Sequence, residues 1–267
     1  MPEIYKYILC DTSEGITEVT LNRPLVHNAF HYEMLSELKQ AIDHATAQEC
    51  DFLILKGAGP SFCAGADIRW FSNLREASDR EVEHQLRAFA DVLWALYNYP
   101  AVTIAVLHGS VMGGGLGLAA ACDFVLGADD TRMAFREVRL GIVPALISVF
   151  IIQKTGAQRS KELMLTGNVF DGNDAKNAGL FSFVVQKRML EQQLNSLLSG
   201  LRSGGRGARK EIKRMIGSAD RQRVTYDKLE AGLAQLKSAI LSEEAKEGFV
   251  AFHEKRAPVW SATEGNI

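Results

Sequence analysis

Two short apolar runs, Asp51-Phe-Leu-Ile-Leu-Lys56 and Ala101 to Leu107, each lead directly into a glycine-rich loop, and this pairing constrains the chain more than any other feature. A strand of a few residues that is apolar throughout has both faces covered, which places it in a sheet flanked by helices. The loops read Lys56-Gly-Ala-Gly-Pro-Ser-Phe-Cys-Ala-Gly-Ala-Asp67 and His108-Gly-Ser-Val-Met-Gly-Gly-Gly-Leu-Gly117. Glycine permits positive φ and close approach of a ligand to the main chain. A helix opening at Gly113 to Gly115 would also aim unpaired N–H groups at whatever sits there. Tight strand-to-helix turns need glycine for their own sake, so one such loop alone has a purely structural explanation. Neither loop carries the GxxxxGK[ST] pattern of a phosphate-binding loop or a GxGxxG fingerprint in its proper context, so nucleoside triphosphate and NAD readings lose ground.

The rest of the chain alternates in the same way. Tyr5 to Leu9 and Ile16 to Leu21, with Glu14-Gly15 between them, read as a hairpin. Helical spacing of Met34, Leu35, Leu38, Ala41, Ile42 and Ala45 predicts a helix from His31 to about Ala47. A second helix follows from about Glu76 to Tyr97, then a short small-residue helix through Ala121 and a strand beginning at Asp123 to Leu126. Beyond Gly141 the pattern becomes mostly helical: Leu146 to Lys154, Gln158 to Leu165, Asn173 to Asn177, Met189 to Arg202, Arg206 to Ile216, Arg221 to Leu241 and Glu243 to Lys255, with Phe181 to Val185 as a last strand. Leu229, Leu233, Leu236 and Ile240 form the stripe of an amphipathic helix that must bury one face. The reading is an α/β protein with a core over residues 1–195 and a C-terminal helical region over 196–267, serving as a cap or an oligomer interface.

Composition narrows the function. With a net charge of -2 over 267 residues there is no excess for gripping a polyanion, so DNA is a poor partner. Apolar stretches break well short of the roughly 18 residues that span a bilayer, and Met1 to Cys10 lacks a signal-peptide pattern, so a cytoplasmic protein without a membrane partner is expected. Cys10, Cys50, Cys63 and Cys122 are scattered without CxxC spacing, against both a zinc site and a disulfide scaffold.

Asn22-Arg-Pro24 with Asn28-Ala29, Phe62-Cys-Ala-Gly-Ala-Asp67, His108-Gly109, Gly113-Gly-Gly115, Ala121-Cys-Asp123, Glu137 before Gly141, Pro144, Leu165-Thr-Gly167, Glu247-Gly248, Phe252 and Glu254-Lys-Arg256 stand in one order along the chain. In that order they resemble the landmarks of the crotonase superfamily, also called the enoyl-CoA hydratase/isomerase family, nearly end to end. The resemblance implies a crotonase-type spiral of ββα units with a C-terminal helical trimerisation region, assembled as a homotrimer or hexamer. It further implies an acyl-CoA thioester as substrate, with coenzyme A entering only as part of it and no metal or redox cofactor.

By the same resemblance, the backbone N–H groups of Ala66 and Gly114 form an oxyanion hole, and Glu137 is the acid/base. Family hydratases carry a second glutamate just after the GGG run; here that place holds Gly117, so the division of labour between two carboxylates does not carry over. For CoA, the resemblance implicates Ala64, Gly113, Gly117, Arg69 near the phosphates and Lys255 at a 3′-phosphate, across a subunit boundary. Arg69 reads alternatively as a solvated loop charge and Lys255 as a surface helix residue, and Leu25 stands where a lysine is common. Trp70 either walls the acyl pocket or fills core, and His108 supports the oxyanion turn. Gly117 and Ala145-Leu-Ile-Ser-Val149 look like methylglutaconyl-CoA hydratases. The expectation is therefore a hydratase or dehydratase of 2-enoyl thioesters, with a Δ3-Δ2-enoyl-CoA isomerase and a noncatalytic acyl-CoA- or RNA-binding relative as alternatives.

Overall fold

A computed structural model describes residues 5–261. Its elements, in chain order, are β1 (Ile8–Ser13), β2 (Ile16–Leu21), α1 (Tyr32–Ala47), β3 (Phe52–Gly57), α2 (Ile68–Leu74), α3 (Asp79–Tyr97), β4 (Val102–Leu107), β5 (Ser110–Met112), α4 (Gly114–Ala120), β6 (Phe124–Ala128), β7 (Arg132–Ala134), α5 (Ala145–Thr166), α6 (Gly172–Asn177), β8 (Phe183–Val185), α7 (Leu190–Arg202), α8 (Arg206–Ala219), α9 (Tyr226–Ile240) and α10 (Glu243–His253). The large sheet runs β1-β2-β3-β4-β6-β8, antiparallel only at β1-β2 and parallel elsewhere.

The hairpin closes with Ser13 opposite Ile16, and Glu14 (φ 49°) and Gly15 (φ 76°) both take the left-handed conformation that a two-residue hairpin turn demands. Its first strand starts later than the expected Tyr5 to Leu9. The edge position explains this, because Asp11, Thr12 and Ser13 face solvent and carry no apolar signal. In β3, Phe52 and Ile54 face one side while Leu53 and Leu55 face the other, as the two-residue repeat of a strand requires. Phe52 and Ile54, with Val102, Ile104, Val106 and Leu126, pack on Leu190, Leu194 and Leu198 of α7; the opposite face packs on α1 and α3. Residue 195 thus falls inside a helix that seals the sheet.

A second, smaller layer escaped the sequence. It consists of the parallel pair β5-β7 flanked by single bridges Phe30–Ala66, Cys63–Val111 and Met133–Phe170. Each turn of the chain therefore leaves one strand in the large sheet and one short extended segment in the small layer before its helix returns. That is the expected ββα spiral. The two helices anticipated over 146–154 and 158–165 are arms of α5, bent at Gly156 (φ 74°, ψ 165°). The short α2, capped by Asp67 accepting from Arg69 N, was not anticipated.

The C-terminal stripe needs no second subunit. Leu229, Leu233, Leu236 and Ile240 are 0–5% exposed within the single chain, because α9 lies across α5 and α3. Of the two roles expected for this region, α9 fills that of a cap on α5 and α3, so its stripe by itself calls for no second subunit. The basic face of α8 is likewise pinned, with Lys213 bonded to Asp123 at 2.7 Å and Arg206 to Asp51 at 2.6 Å. No described helix is long and apolar enough to cross a membrane.

Candidate active site

The small layer decides where the two glycine loops end. Because β5 and β7 are parallel with Met112 opposite Ala134, the chain leaving β5 at Gly113 runs beside the chain leaving β7 at Phe135. Gly113 N–H donates to Ala134 O at 3.0 Å and fastens the two exits together. On the other side, Met112 N–H donates to Cys63 O (3.0 Å), while Phe30 accepts from Asp67 N–H (2.8 Å) and donates to Gly65 O (2.9 Å). Ala64 to Ala66, Gly113-Gly114 and the turn Arg136–Leu140 thereby meet around one cavity of about 480 Å³. Its wall includes Ala64, Ala66, Gly113, Gly114 and Glu137, together with the apolar side chains of Phe30, Phe71, Phe89, Ile142, Ile147 and Leu236.

Two donors on this wall are unspent. Among the described residues, neither Ala66 N–H nor Gly114 N–H has a backbone or side-chain acceptor, whereas their neighbours Ala64, Asp67 and Gly113 all donate within the protein. Gly114 opens α4, so no carbonyl of its own helix lies behind it. The turn that frees it runs through Gly113 at φ 44°, ψ -113°, where an L side chain would be strained. A Cβ there would also stand 3.0 Å from Glu137 Cδ, so the glycine lets the carboxyl lie against the loop. Such a pair of fixed donors suits an oxygen on which negative charge builds up.

Glu137 is the only acid among the described residues of the wall. Its Oε2 is buried and has no hydrogen-bond partner among those residues, although the residue as a whole stays partly open to the cavity. Burial pushes its pKa up to about 7, since desolvation penalises the charged form. A carboxyl poised there holds both protonation states near neutral pH, which suits a group that acts as base and acid in turn. Helix α10 backs the turn closely: an added Cβ on Gly248 would stand 2.9 Å from Leu140 Cα. Glu247 fixes the chain after α10 by a two-pronged ion pair with Arg256 (2.6 and 2.9 Å), which holds the Glu247 carboxyl down near pH 2.

Other expected residues lie elsewhere. Gly117 is buried in α4 behind the wall; a Cβ there would fall inside Ile147, 2.8 Å from its Cβ, so Ile147 forms the surface the ligand meets. Arg69 is exposed on the first turn of α2, and Lys255 is exposed just past α10 with φ 54°; neither lines the cavity. Trp70 packs on Phe30 and Phe71 and donates to Gln85, outside the wall. His108 bonds to Gly59 O at 2.9 Å, linking the two loops. Asp67 pairs with Arg23 at 3.2 Å, and Asp123 accepts from Thr103 N at 2.8 Å.

Sequence reasoning gave no site role to Arg136, Ile147 or Phe252, all on the wall. Arg136 was legible through its position beside Glu137 in a short turn. Ile147 was not, because only the packing of α5 on α4 brings it over Gly117.

The comparisons agree with this geometry. The family model described as enoyl-CoA hydratase/isomerase matches residues 11–263. The "Enoyl-CoA isomerase/hydratase fer4" of Mycosarcoma maydis is 30% identical, over 92% of this chain and 93% of its own length. The "Trans-2-decenoyl-[acyl-carrier-protein] isomerase" of Streptococcus mutans is 28% identical, over 95% of this chain and 97% of its own. The solved structure of Pseudomonas aeruginosa AtuE superposes with a TM-score of 0.78 at 32% identity, covering 96% of this chain and all of that one. With the spiral of ββα turns, the paired free amides and a match along almost the whole sequence, the chain belongs to the enoyl-CoA hydratase/isomerase family.

Proposed function

We propose that the protein hydrates 2-enoyl thioesters, or dehydrates the corresponding 3-hydroxyacyl thioesters, with Glu137 as the single acid/base and a methylglutaconyl-type acyl group as substrate. The observation that carries this reading is one buried carboxyl, its pKa raised to about 7, facing the same cavity as two unspent amides. The thioester carbonyl accepts from Ala66 N–H and Gly114 N–H. Ionised Glu137 takes a proton from water as its oxygen bonds to C3, and the electron pair of the C2–C3 double bond moves towards the carbonyl oxygen, forming an enolate. The two donors stabilise that charge more than they stabilise the neutral carbonyl. C2 then takes the proton back from Glu137 or from a further water.

One observation favours a second reading. Ile147 fills the space beside Gly117, so the wall is apolar where a second carboxyl would hold water. A lone carboxyl against an apolar wall suits transfer of a proton from C4 to C2 of a 3-enoyl thioester, as an isomerase requires. Steady-state assays of 2-enoyl, 3-enoyl, branched dicarboxylic and 3-hydroxyacyl thioesters separate the readings. Hydration of the branched dicarboxylic thioester is expected to be fastest. Turnover of 3-enoyl thioesters alone would establish the isomerase, and no turnover of any thioester would leave the noncatalytic reading.

The protein is further proposed to assemble as a trimer or hexamer, in which Lys255 serves a neighbouring subunit's CoA. Support comes from α8, which buries no residue and leaves Ile212, Met215 and Ile216 52–59% exposed on one helix. Light scattering at micromolar concentration is expected to give three or six chains; a clean monomer would remove both the assembly and the role of Lys255.

A further inference from the structure

The cavity wall carries a positive charge that the reaction does not use. Arg136 lines the cavity beside Glu137, yet among the described residues its guanidinium has neither an ion pair nor a hydrogen bond. The other two arginines of the wall are engaged: Arg256 is paired with Glu247 and Glu254, and Arg139 donates to Asn168 Oδ1 at 3.2 Å. Arg139 also lowers the pKa of Arg136, after burial itself, so the two cations add their fields rather than neutralise one another. An arginine on a mostly apolar wall, with five donors in a planar fork, is matched by a carboxylate in two-pronged contact.

Resting on the enoyl-thioester reading above, we infer that Arg136 is the receptor for a free carboxylate carried by the acyl group of the substrate. Position selects this anion over the phosphates of coenzyme A. Arg136 adjoins the acid/base residue in sequence and lines the same cavity, so an anion carried by the acyl group is the near one. The nucleotide phosphates lie a whole pantetheine arm away from the thioester. Loss of the guanidinium would leave the substrate carboxylate desolvated and unpaired, which is the costly outcome for a charge in an apolar site.

The test uses the full-length protein and the variants Arg136→Met and Arg136→Lys. The substrates are a 2-enoyl thioester ending in a carboxylate and its isosteric primary amide, each made with CoA and with pantetheine. The readout is the ratio of kcat/KM for the carboxylate over the amide. In Arg136→Met that ratio is expected to fall roughly 10- to 100-fold, the worth of a charge-assisted hydrogen bond, equally for CoA and pantetheine thioesters. Arg136→Lys is expected to recover part of it, since lysine supplies charge without the fork. Because Arg136 holds no protein partner among the described residues, thermal melts of both variants are expected to match wild type. An unchanged ratio would overturn the inference, and so would a loss that follows CoA against pantetheine regardless of the acyl group, which would make the anion a phosphate. If wild type turns over the amide as well as the carboxylate, the inference fails while the enoyl-thioester reading stands. If it turns over neither of these but does turn over an unsubstituted 2-enoyl thioester, the inference fails alone; if it turns over none of the three, the reading itself fails.

Discussion

Glu137→Gln is expected to lower kcat on the best thioester by roughly 10²- to 10⁴-fold, the usual contribution of a positioned acid/base. Glutamine keeps the size of the side chain and cannot exchange the proton. CoA affinity is expected to stay the same, so the loss falls on kcat and reports an interaction made in the transition state. In wild type, kcat/KM for hydration is expected to rise with pH through an apparent pKa of about 7, because ionised Glu137 must take the proton from water. That inflection is expected to vanish in the variant. Retention of a tenth or more of wild-type kcat would require another acid/base and end the single-carboxyl mechanism.

The same pKa shift sets a stability signature with a definite sign. The native carboxyl binds its proton more tightly than the unfolded one, from the ordinary 4.5 up to about 7. Its contribution is therefore full below about pH 4.5 and is lost as pH rises through 7. At pH 8 wild type must keep a buried charge that costs it about 3 kcal/mol, from a shift worth 1.36 kcal/mol per unit. Glu137→Gln is expected to melt several degrees higher than wild type at pH 8, with the gap closing towards pH 4.5. Calorimetry at the two pH values checks this, and equal gaps would place the carboxyl outside the low-dielectric site.

Gly114→Pro tests the other half of the proposed mechanism. Proline at the first residue of a helix costs the helix no hydrogen bond, so what is lost is the free N–H itself. An added Cβ would stand 2.5 Å from Phe30 Cζ, so the substitution is made with Phe30→Leu to open space. Relative to Phe30→Leu alone, the double variant is expected to lose roughly 10²- to 10³-fold in kcat, the worth of one oxyanion donor. A folded double variant with the kcat of Phe30→Leu would exclude Gly114 from the hole.

Much of this was legible in the residues. Apolar runs at β3 and β4 announced buried parallel strands, the stripe on α9 announced a helix with one buried face, and ordered landmarks pointed to the residues around Ala66, Gly114 and Glu137. These features are local: periodicity, turn chemistry and short motifs are written within a few neighbouring positions. The partner of each buried face was not local. The α9 stripe reads the same whether it meets a second subunit or α5 of its own chain, and only the packed structure shows the latter.

The site follows the same division. Gly117 by itself leaves room for a Gly117→Glu variant to rebuild a pair of carboxyls, but Ile147 already fills that volume. The residue types of the glycine loops and the single retained Glu137 were determined by the sequence; that Arg136 lines the cavity without a partner among the described residues was decided by the packing. The meeting of the loops and Glu137 at one cavity was decided by the pairing of three-residue strands too short to carry a period of their own, β5 and β7, because that register alone lays Gly113 beside the turn that holds Glu137.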